Sequence, residues 1–407
     1  MKKPALHWQI LIALVLSVLY GVFLGEYISY VSWMGTLFLN ALKMVIIPLI
    51  LSSIISGVAN IGGADSFGRL GIKTLGYYLL TSLLAILTGL IFVNIIRPGV
   101  GINLGLQQAV EGLSGARQSF GDTLLKIIPR NIFKAFTSGN MLGIIFFSMI
   151  FGFFITQTTE KYKTLLTDFF NATFDVMMKI TMFIIKFSPL GIFGLVSKVI
   201  AEQTARGNLG DVFSSLGLYM LTVILGLFVH AFITLPALLK FIAKINPIRH
   251  AKAMVTPLLT AFSTSSSSAT LPLTMQAVEN NDGVSNKISS FVLPLGATVN
   301  MDGTALYELV AAMFIAQAYG LDIPFTQQFL MVFAALLASI GAAGIPMAGL
   351  VMITIILSVI GLPLEAVGLI LAVDRILDMM RTTVNVWSDS VCTVIIAKSE
   401  GEKLKIE

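Results

Sequence analysis

The chain has little charge, one cysteine and three histidines. Only 12% of its 407 residues are Asp, Glu, Lys or Arg, about half of the roughly 25% typical of soluble domains. The single cysteine, Cys392, excludes an intrachain disulfide framework. The histidines show no metal-ligand spacing. With 56% hydrophobic residues and a mean hydropathy of +0.90, the composition indicates an integral membrane protein. We attribute the net charge of +5 to membrane orientation rather than to nucleic-acid binding.

Apolar segments of about 20 residues, the length that crosses a bilayer, recur in the first 240 residues. The N-terminal segment resembles a secretory signal peptide, but no small-residue cleavage site follows it, and we interpret it as the first span. The segment at 170–202 is interrupted by Lys179 and Lys186, which predicts a tilted or partly interfacial helix. The six predicted spans are 8–28, 33–60, 74–96, 137–158, 170–202 and 212–239.

Lysine and arginine are concentrated in alternate loops, which predicts the orientation of the chain. Six spans before residue 240 place the basic loops on one side, and the basic tail joins them if the remaining segments cross an even number of times. We therefore expect a multi-pass protein of the cell inner membrane with both termini in the cytoplasm. The loop at 97–133 is an exception, with four basic residues on the outer side. The basic residues of the cytoplasmic side are Lys2, Lys3, Arg69, Lys73, Lys161, Lys163, Lys240, Lys244, Arg249, Lys252, Lys398, Lys403 and Lys405.

Two uncharged runs follow, and each is interrupted. Residues 253–278 are broken by a serine run, and residues 323–364, too long for one span, are broken at "SIGAAGIPMAG". Each run precedes a helix with acidic residues, at 292–310 and 371–391. Interrupted segments in corresponding positions indicate the binding site of a transporter built from inverted repeats. A serine run can also be a flexible linker, but its apolar flanks favour a hairpin tip whose helix N-terminus meets an anion. The second tip would offer backbone carbonyls to a cation.

The segment "LAVDRILDMMRTTVNVWSDSV" (371–391) carries charges within an apolar helix. At about 100° per residue, one face collects Asp374, Asp378, Arg381, Thr382, Asn385 and Asp389, with Arg375 off its edge. Each ionisable group at membrane depth costs at least about 2.5–3.5 kcal/mol, so these groups must face a polar cavity and pair. Internal salt bridges are one interpretation, with Asp378 pairing Arg381.

A binding site is the other interpretation. Arg381 offers a planar fork for a carboxylate, and Asp378, one turn away, can bind an ammonium group. Together they match an acidic amino acid. Hard oxygen ligands for a small cation are available on Asp389 and Asn385, and on Asp302 and Asn300 in the other repeat.

Four motifs resemble the dicarboxylate/amino acid:cation symporter family, which includes sodium-coupled aspartate transporters and excitatory amino acid transporters. They are "STSSSSATLP" (263–272), "NMDGT" (300–304), "GAAGIPMAG" (341–349) and "DRILDMMRTTVNVWSD" (374–389). The resemblance implies an all-α integral membrane fold of eight transmembrane helices and two re-entrant hairpins with inverted repeats. It also implies a homotrimer in the lipid bilayer with an elevator mechanism. The scaffold would comprise 1–62 and 111–208, and the transport domain 63–110 and 209–407.

The same resemblance implies roles for individual residues. The substrate, L-aspartate or L-glutamate, would be bound by Arg381 through its side-chain carboxylate and by Asp378 through its amino group, with Thr304, Asn385, Thr382, Ser266, Ser267, Ile345 and Gly349. Sodium would be coupled at three sites. The first comprises Asp389, Gly296, Asn300 and Asn385; the second Asn300, Asp302, Tyr78, Thr81 and Ser82; the third Thr298, Met301, Ser339, Ala342 and Gly344.

Branches of the family differ at a few of these positions. Asp378 favours an amino acid over a C4-dicarboxylate, and Arg381 favours an acidic over a neutral substrate. "NMDGT" and Asp389 favour sodium, whereas Arg375 resembles the "VDR" of proton-coupled members, which keeps a proton-coupled glutamate/aspartate symporter as an alternative. Many members carry an additional arginine where this chain has Ser265 or Met379.

Two other classes of function are weaker. An ion channel would need a continuous water path along the acidic face and would show no saturable substrate. An intramembrane hydrolase using the serine tip lacks a base, since no histidine lies in the C-terminal third. We therefore expect a transporter rather than an enzyme, with sodium as the coupling ion, no organic cofactor and no nucleic-acid partner.

Overall fold

The computed structural model describes residues 6–61, 68–101, 128–138, 140–207, 209–340, 349, 352–354, 356–357, 361–362 and 367–407. Within these ranges the regular elements are helices, and no strand occurs. The helices are α1 (Leu6–Phe23), α2 (Ser29–Ile61), α3 (Gly68–Ile96), α4 (Ile132–Ser138), α5 (Met141–Thr156), α6 (Glu160–Ile185), α7 (Ser188–Arg206), α8 (Leu209–Val229), α9 (Pro247–Ala253), α10 (Val255–Thr264), α11 (Ser267–Ala277), α12 (Asn286–Val299), α13 (Asp302–Ala318), α14 (Phe325–Ile340) and α15 (Val367–Ser399). The helical path of α8 continues through π-turns to Ala243.

Three helical segments of the described chain are long and apolar enough to cross a membrane: Ser29–Ala59, Arg69–Ile96 and Leu209–Ala243. A fourth is formed if α6 and α7 are counted as one bent span. The prediction of a single helix over 170–202 is wrong in this respect, because α6 and α7 bend by 55° at their junction. Pro189 lies in the first turn of α7. Proline has no N–H to donate inside a helix, but in the first turn this N–H would have no helical partner, so proline favours the start of a separate helix.

Helices α1, α2, α5, α6 and α7 form one packed group, in which α2 contacts α5, α6 and α7, and α1 contacts α7. The contact between α2 and α7 depends on glycine. A Cβ atom on Gly194 would lie 2.5 Å from the backbone nitrogen of Gly35, and one on Gly191 would lie 2.3 Å from the ring of Phe38. Any side chain at Gly194 would therefore separate the two helices.

Helices α3, α8 and α10–α15 form a second group around α13 and α15. Every residue of α13 is buried, since α3, α8, α14 and α15 surround it. The two groups meet mainly where α7 contacts α15 and α8. The charged helix of the sequence is thus interior to the second group, which explains how it keeps its charges away from lipid.

The first interrupted run folds as two short helices that pack on each other, α10 and α11. Between them Ser265 adopts a left-handed conformation (φ 51°) and Ser266 caps α11, its Oγ accepting from the Ala269 amide at 3.2 Å. Each helix is about 15 Å long, half of the roughly 30 Å hydrocarbon core. In the second run, α14 is described as far as Ile340, and most of the predicted tip at 341–349 lies outside the described residues.

Candidate functional site

The "NMDGT" motif separates α12 from α13, so the prediction of one helix over 292–310 is wrong. Asn300 (φ −95°, ψ 86°) and Met301 (φ −115°, ψ 52°) leave the helical conformation, and Asp302 opens α13. The last carbonyl groups of α12 are therefore without helical partners and carry the negative end of its dipole. Carbonyl oxygens beside a carboxylate make this break suitable for a cation.

Asp302 is fully buried and is held by hydroxyl groups on both carboxylate oxygens. Ser82 donates to Oδ1 at 2.7 Å, and Ser388 donates to Oδ2 at 2.6 Å. His230 Nε2 lies 3.0 Å from the same Oδ2. The structure thereby joins α3, α8, α13 and α15 at one carboxylate.

Asp389 lies beside this group and shares Asn300 with it. The Asn300 amide donates to Asp389 Oδ1 at 2.9 Å and to Ser388 Oγ at 3.0 Å, while Thr81 donates weakly to Asn300 Oδ1 at 3.4 Å. At Gly296 a Cβ atom would lie 2.5 Å from Asp389 Oδ1 and 2.7 Å from the Tyr78 hydroxyl. The glycine is required because the carboxylate occupies the space of a side chain. Two carboxylates, an amide, hydroxyls and a helix end are thus the oxygen-rich set that a hard cation prefers.

Arg381 is 1% exposed and pairs with two carboxylates of its own helix. Its Nε and Nη2 donate to Asp378 Oδ1 at 3.0 and 2.8 Å, and its Nη1 donates to Asp374 Oδ1 at 3.1 Å. Arg375 approaches the other Asp378 oxygen at 3.5 Å. The internal pairing considered from the sequence is therefore present, and it involves Asp374 as well as Asp378.

Two further groups confine the guanidinium. It lies over the Tyr307 ring with its carbon 4.1 Å from the centroid, and the Tyr307 hydroxyl donates to Asp374 at 2.5 Å. Gly349 approaches so closely that a Cβ atom there would lie 2.9 Å from the guanidinium carbon. Any other residue at position 349 would therefore collide with the guanidinium.

Asn385, one turn after Arg381, ties α15 to the start of α13. Its Oδ1 accepts from the Gly303 amide at 2.7 Å, and its Nδ2 donates to the Thr304 hydroxyl at 3.1 Å. It also contacts the Met301 sulfur at 3.2 Å. Gly303 packs on the Arg381 backbone, since a Cβ atom would lie 2.5 Å from its carbonyl oxygen. Asn385 thus holds Gly303 and Thr304 against the turn of α15 that carries Arg381.

For the remaining predicted residues, the structure shows burial or local hydrogen bonds rather than contacts with Arg381 or Asp389. Ser266 and Ser267 are buried at the first hairpin tip, and Thr382 is buried beside Arg381. Thr298 and Ser339 donate to carbonyl groups within their own helices. Three predicted residues lie outside the described residues, namely Ala342, Gly344 and Ile345.

The sequence interpretation missed several buried polar groups. His230 and Ser388 bind Asp302 but have no motif spacing relative to it. Glu308 is fully buried in α13, and both of its carboxylate oxygens lack a hydrogen-bond partner among the described residues. A single acid inside the otherwise uncharged stretch 303–321 was the available signal for it.

A second buried network joins the first hairpin to α15. His250 Nδ1 lies 2.9 Å from Asp282 Oδ2, and His250 Nε2 lies 3.1 Å from Ser390 Oγ. The imidazole stacks on Trp387 with centroids 4.9 Å apart, and the Asp282 carbonyl accepts from the Lys405 amide at 2.8 Å. The network ties both ends of the hairpin to the helix that carries Asp389.

Known proteins resemble the chain over almost its entire length. The profile of the sodium:dicarboxylate symporter family matches residues 6–399. The proton/sodium-glutamate symport protein of Geobacillus stearothermophilus is 36% identical over 99% of this chain and 96% of its own length. Human excitatory amino acid transporter 3 is 38% identical over 97% of this chain and 85% of its own length. The chain belongs to the sodium:dicarboxylate symporter family.

Proposed function

We propose that the chain is a secondary active transporter that carries L-aspartate or L-glutamate into the cell together with sodium ions. The observation that carries the proposal is the buried Arg381 guanidinium, held between acids within one turn of Asn385. The named relatives are glutamate symporters and excitatory amino acid transporters, which supports this substrate class.

Substrate binding would replace one partner of Arg381 by another. A buried cation must be paired in every state, because leaving it alone costs about 3–5 kcal/mol. Asp374 and Asp378 meet this requirement in the structure. The side-chain carboxylate of the substrate would take over the guanidinium, which frees Asp378 to bind the substrate amino group. Thr304, Asn385 and Thr382 would orient the remainder, with Ser266, Ser267, Ile345 and Gly349 from the hairpin tips.

Sodium ions would bind as co-transported cargo at the oxygen-rich sets beside this site. Asp389 with Gly296, Asn300 and Asn385 would supply one set, and Asp302 with Asn300, Tyr78, Thr81 and Ser82 a second. The third would combine Thr298, Met301, Ser339, Ala342 and Gly344. Because Asn385 contacts both Thr304 and Met301, cation binding would stiffen the break that also orients the substrate.

The proposed transport mechanism is an elevator, in which one domain moves across the membrane against a fixed scaffold. Helices α1, α2 and α5–α7 would form the scaffold (1–62 and 111–208) of a homotrimer, and α3 with α8–α15 would form the moving domain (63–110 and 209–407). Eight transmembrane helices and two re-entrant hairpins would complete each subunit, with both termini in the cytoplasm of the inner membrane. The packing of the helices into two groups supports this division.

Proteoliposomes test the proposal directly. Uptake of labelled aspartate or glutamate should saturate, require an inward sodium gradient and stop when choline replaces sodium under an imposed pH gradient. Non-saturating flux would instead indicate a channel.

Proton coupling is the second candidate, and buried titratable groups favour it. His230 contacts Asp302 directly, and Glu308 lies one turn from Thr304 within α13. The same assay distinguishes the candidates, since uptake that continues in choline and follows the pH gradient would assign the coupling to protons. If protons drive transport, Glu308→Gln should abolish uptake. If sodium drives transport, the same variant should remain active.

A further inference from the structure

An apolar groove opens on the surface of the second helix group, on a face of α15 turned away from Arg381. It lies between the last part of α8, the helices α9 and α10, and the middle of α15, and has a volume of about 610 Å³. Phe228, Phe232, Val255 and Phe262 line it and are 41–67% exposed, and Trp387 forms part of its wall. Its volume lies within the range of about 300–1,000 Å³ that ligand pockets have, which makes the groove a candidate binding site.

One charged residue among the described residues lines this groove, and it lies at one end. Lys252 is exposed on α9, and Arg249, Lys244 and Lys240 are exposed close to it in sequence. Basic clusters that follow a span mark the cytoplasmic face. At the opposite end Phe262 precedes the serine tip by four residues, and Met380 immediately precedes Arg381. The groove therefore runs from a basic mouth toward membrane depth.

This distribution of charge selects an amphiphile. An extended peptide would bring backbone N–H and C=O groups that the apolar walls cannot satisfy. A hydrocarbon chain has no such groups, and each buried CH₂ contributes about 0.8 kcal/mol. The lining from Val255 to Phe262 extends along about 10 Å of helix, enough for part of one acyl chain. Lys252 at the mouth can bind an anionic headgroup, and anionic lipid attracts juxtamembrane lysines.

We propose that this groove binds one acyl chain of an anionic phospholipid, with the lipid phosphate at Lys252. The chain would pack on Phe228, Phe232 and Trp387 and would end beside Phe262 and Met380. A bound lipid would thereby hold α10 against α15 from outside, on the side opposite the buried pairs of Arg381. The proposal does not depend on which ion or amino acid is transported.

The test is native mass spectrometry of the purified full-length protein, delipidated in detergent and titrated with phosphatidylglycerol or phosphatidylcholine. Wild-type protein should retain phosphatidylglycerol about fivefold better than phosphatidylcholine. This is the factor in affinity that one lysine near an anionic lipid contributes. Lys252→Gln should lower its retention to that of phosphatidylcholine. Lys161→Gln, an exposed lysine of the other helix group, is the matched control and should change nothing.

A second variant examines the apolar part of the site. Ala251→Phe should fill the groove and lower the retention of both lipids, and its melting temperature shows whether it has folded. Because Lys252→Gln alters only an exposed side chain, it decides the question if Ala251→Phe does not fold. Equal retention by wild type and Lys252→Gln would overturn the proposal. So would Ala251→Phe that keeps its lipid but changes the oligomeric mass, since a protein surface would then cover the groove.

Discussion

Arg381 and Asp378 share a fork of two hydrogen bonds, in which Nε and Nη2 both donate to Oδ1 at 3.0 and 2.8 Å. One carboxylate oxygen thus accepts both bonds that a substrate carboxylate would form. Asp374 binds the remaining Nη1. The Arg381 guanidinium is thus neutralised by acids of its own helix, and under the proposed function a substrate would have to compete with them.

Removing the guanidinium should abolish recognition of acidic substrates. Arg381→Ala loses a buried, hydrogen-bonded charge pair, which costs about 2–5 kcal/mol of binding and therefore weakens affinity by roughly 30-fold or more. The measurement is labelled aspartate uptake and binding. Lys179→Ala, whose exposed pair with Asp175 contributes little, is the control. Normal uptake by Arg381→Ala would disprove the assignment of the binding residue.

Weakening the internal competitor should strengthen the response to substrate. Asp374→Asn keeps the shape of the side chain but removes one of the charges that pair Arg381. We expect a lower melting temperature without substrate and a larger rise on adding aspartate than in wild type, because the substrate then restores the missing charge. A thermal-shift titration measures both. A rise equal to that of wild type would show that Asp374 does not compete.

Sodium binding at the oxygen-rich set around Asp389 should depend on the charge of this residue. Asp389→Asn retains an oxygen for the Asn300 amide but removes a charge, so the sodium concentration for half-maximal uptake should increase by at least about tenfold. Substrate affinity measured at saturating sodium should change much less. Asp175→Asn, an exposed acid on α6, serves as the control. Unchanged sodium dependence would remove Asp389 from the cation ligands.

The His250 network should contribute to stability without contacting substrate. His250→Ala leaves the buried Asp282 Oδ2 without its partner, at a cost of about 1–3 kcal/mol for an unsatisfied group, whereas Ser390 keeps its bond to the Trp387 carbonyl. The melting temperature in detergent should fall, whereas Asn280→Ala, an exposed neighbour of the same hairpin end, should have no effect. An unchanged melting temperature would show that the network carries no net stability.

Glu400 provides a pH-dependent tie between the start of α3 and the end of α15. Hydrogen bonds from Lys73 and then Arg69 lower the pKa of its carboxyl group below the usual value. A lowered pKa adds stability that is present above the unfolded pKa of about 4.3 and is lost as the pH falls through the folded value. Melting curves of wild type and Glu400→Gln should therefore converge below about pH 4 and separate above it. Parallel curves at all pH values would contradict the tie.

Much of the site could be predicted from single helices. The face that carries Asp374, Asp378, Arg381, Asn385 and Asp389 follows from helical periodicity alone, and the structure places these residues in one buried helix. The interruption at Asn300 and Met301 was not predicted, because the apolar residues on both sides of the motif read as one helix over 292–310. The bend between α6 and α7 was not predicted, although Pro189 marks the start of α7.

The sequence by itself determined the class of the protein, since low charge and long apolar runs require a bilayer. The few charged residues within the apolar runs are costly there and therefore indicate a functional site. Only the tertiary structure decided which of those charges meet. Asp302 pairs with His230 across 72 residues, and His250 with Ser390 across 140. No local periodicity connects such positions, because their contact depends on how α8, α13 and α15 pack. Likewise, the sequence predicted Arg381 as a substrate ligand, whereas the structure shows it in contact with Asp374, Asp378 and the Tyr307 ring.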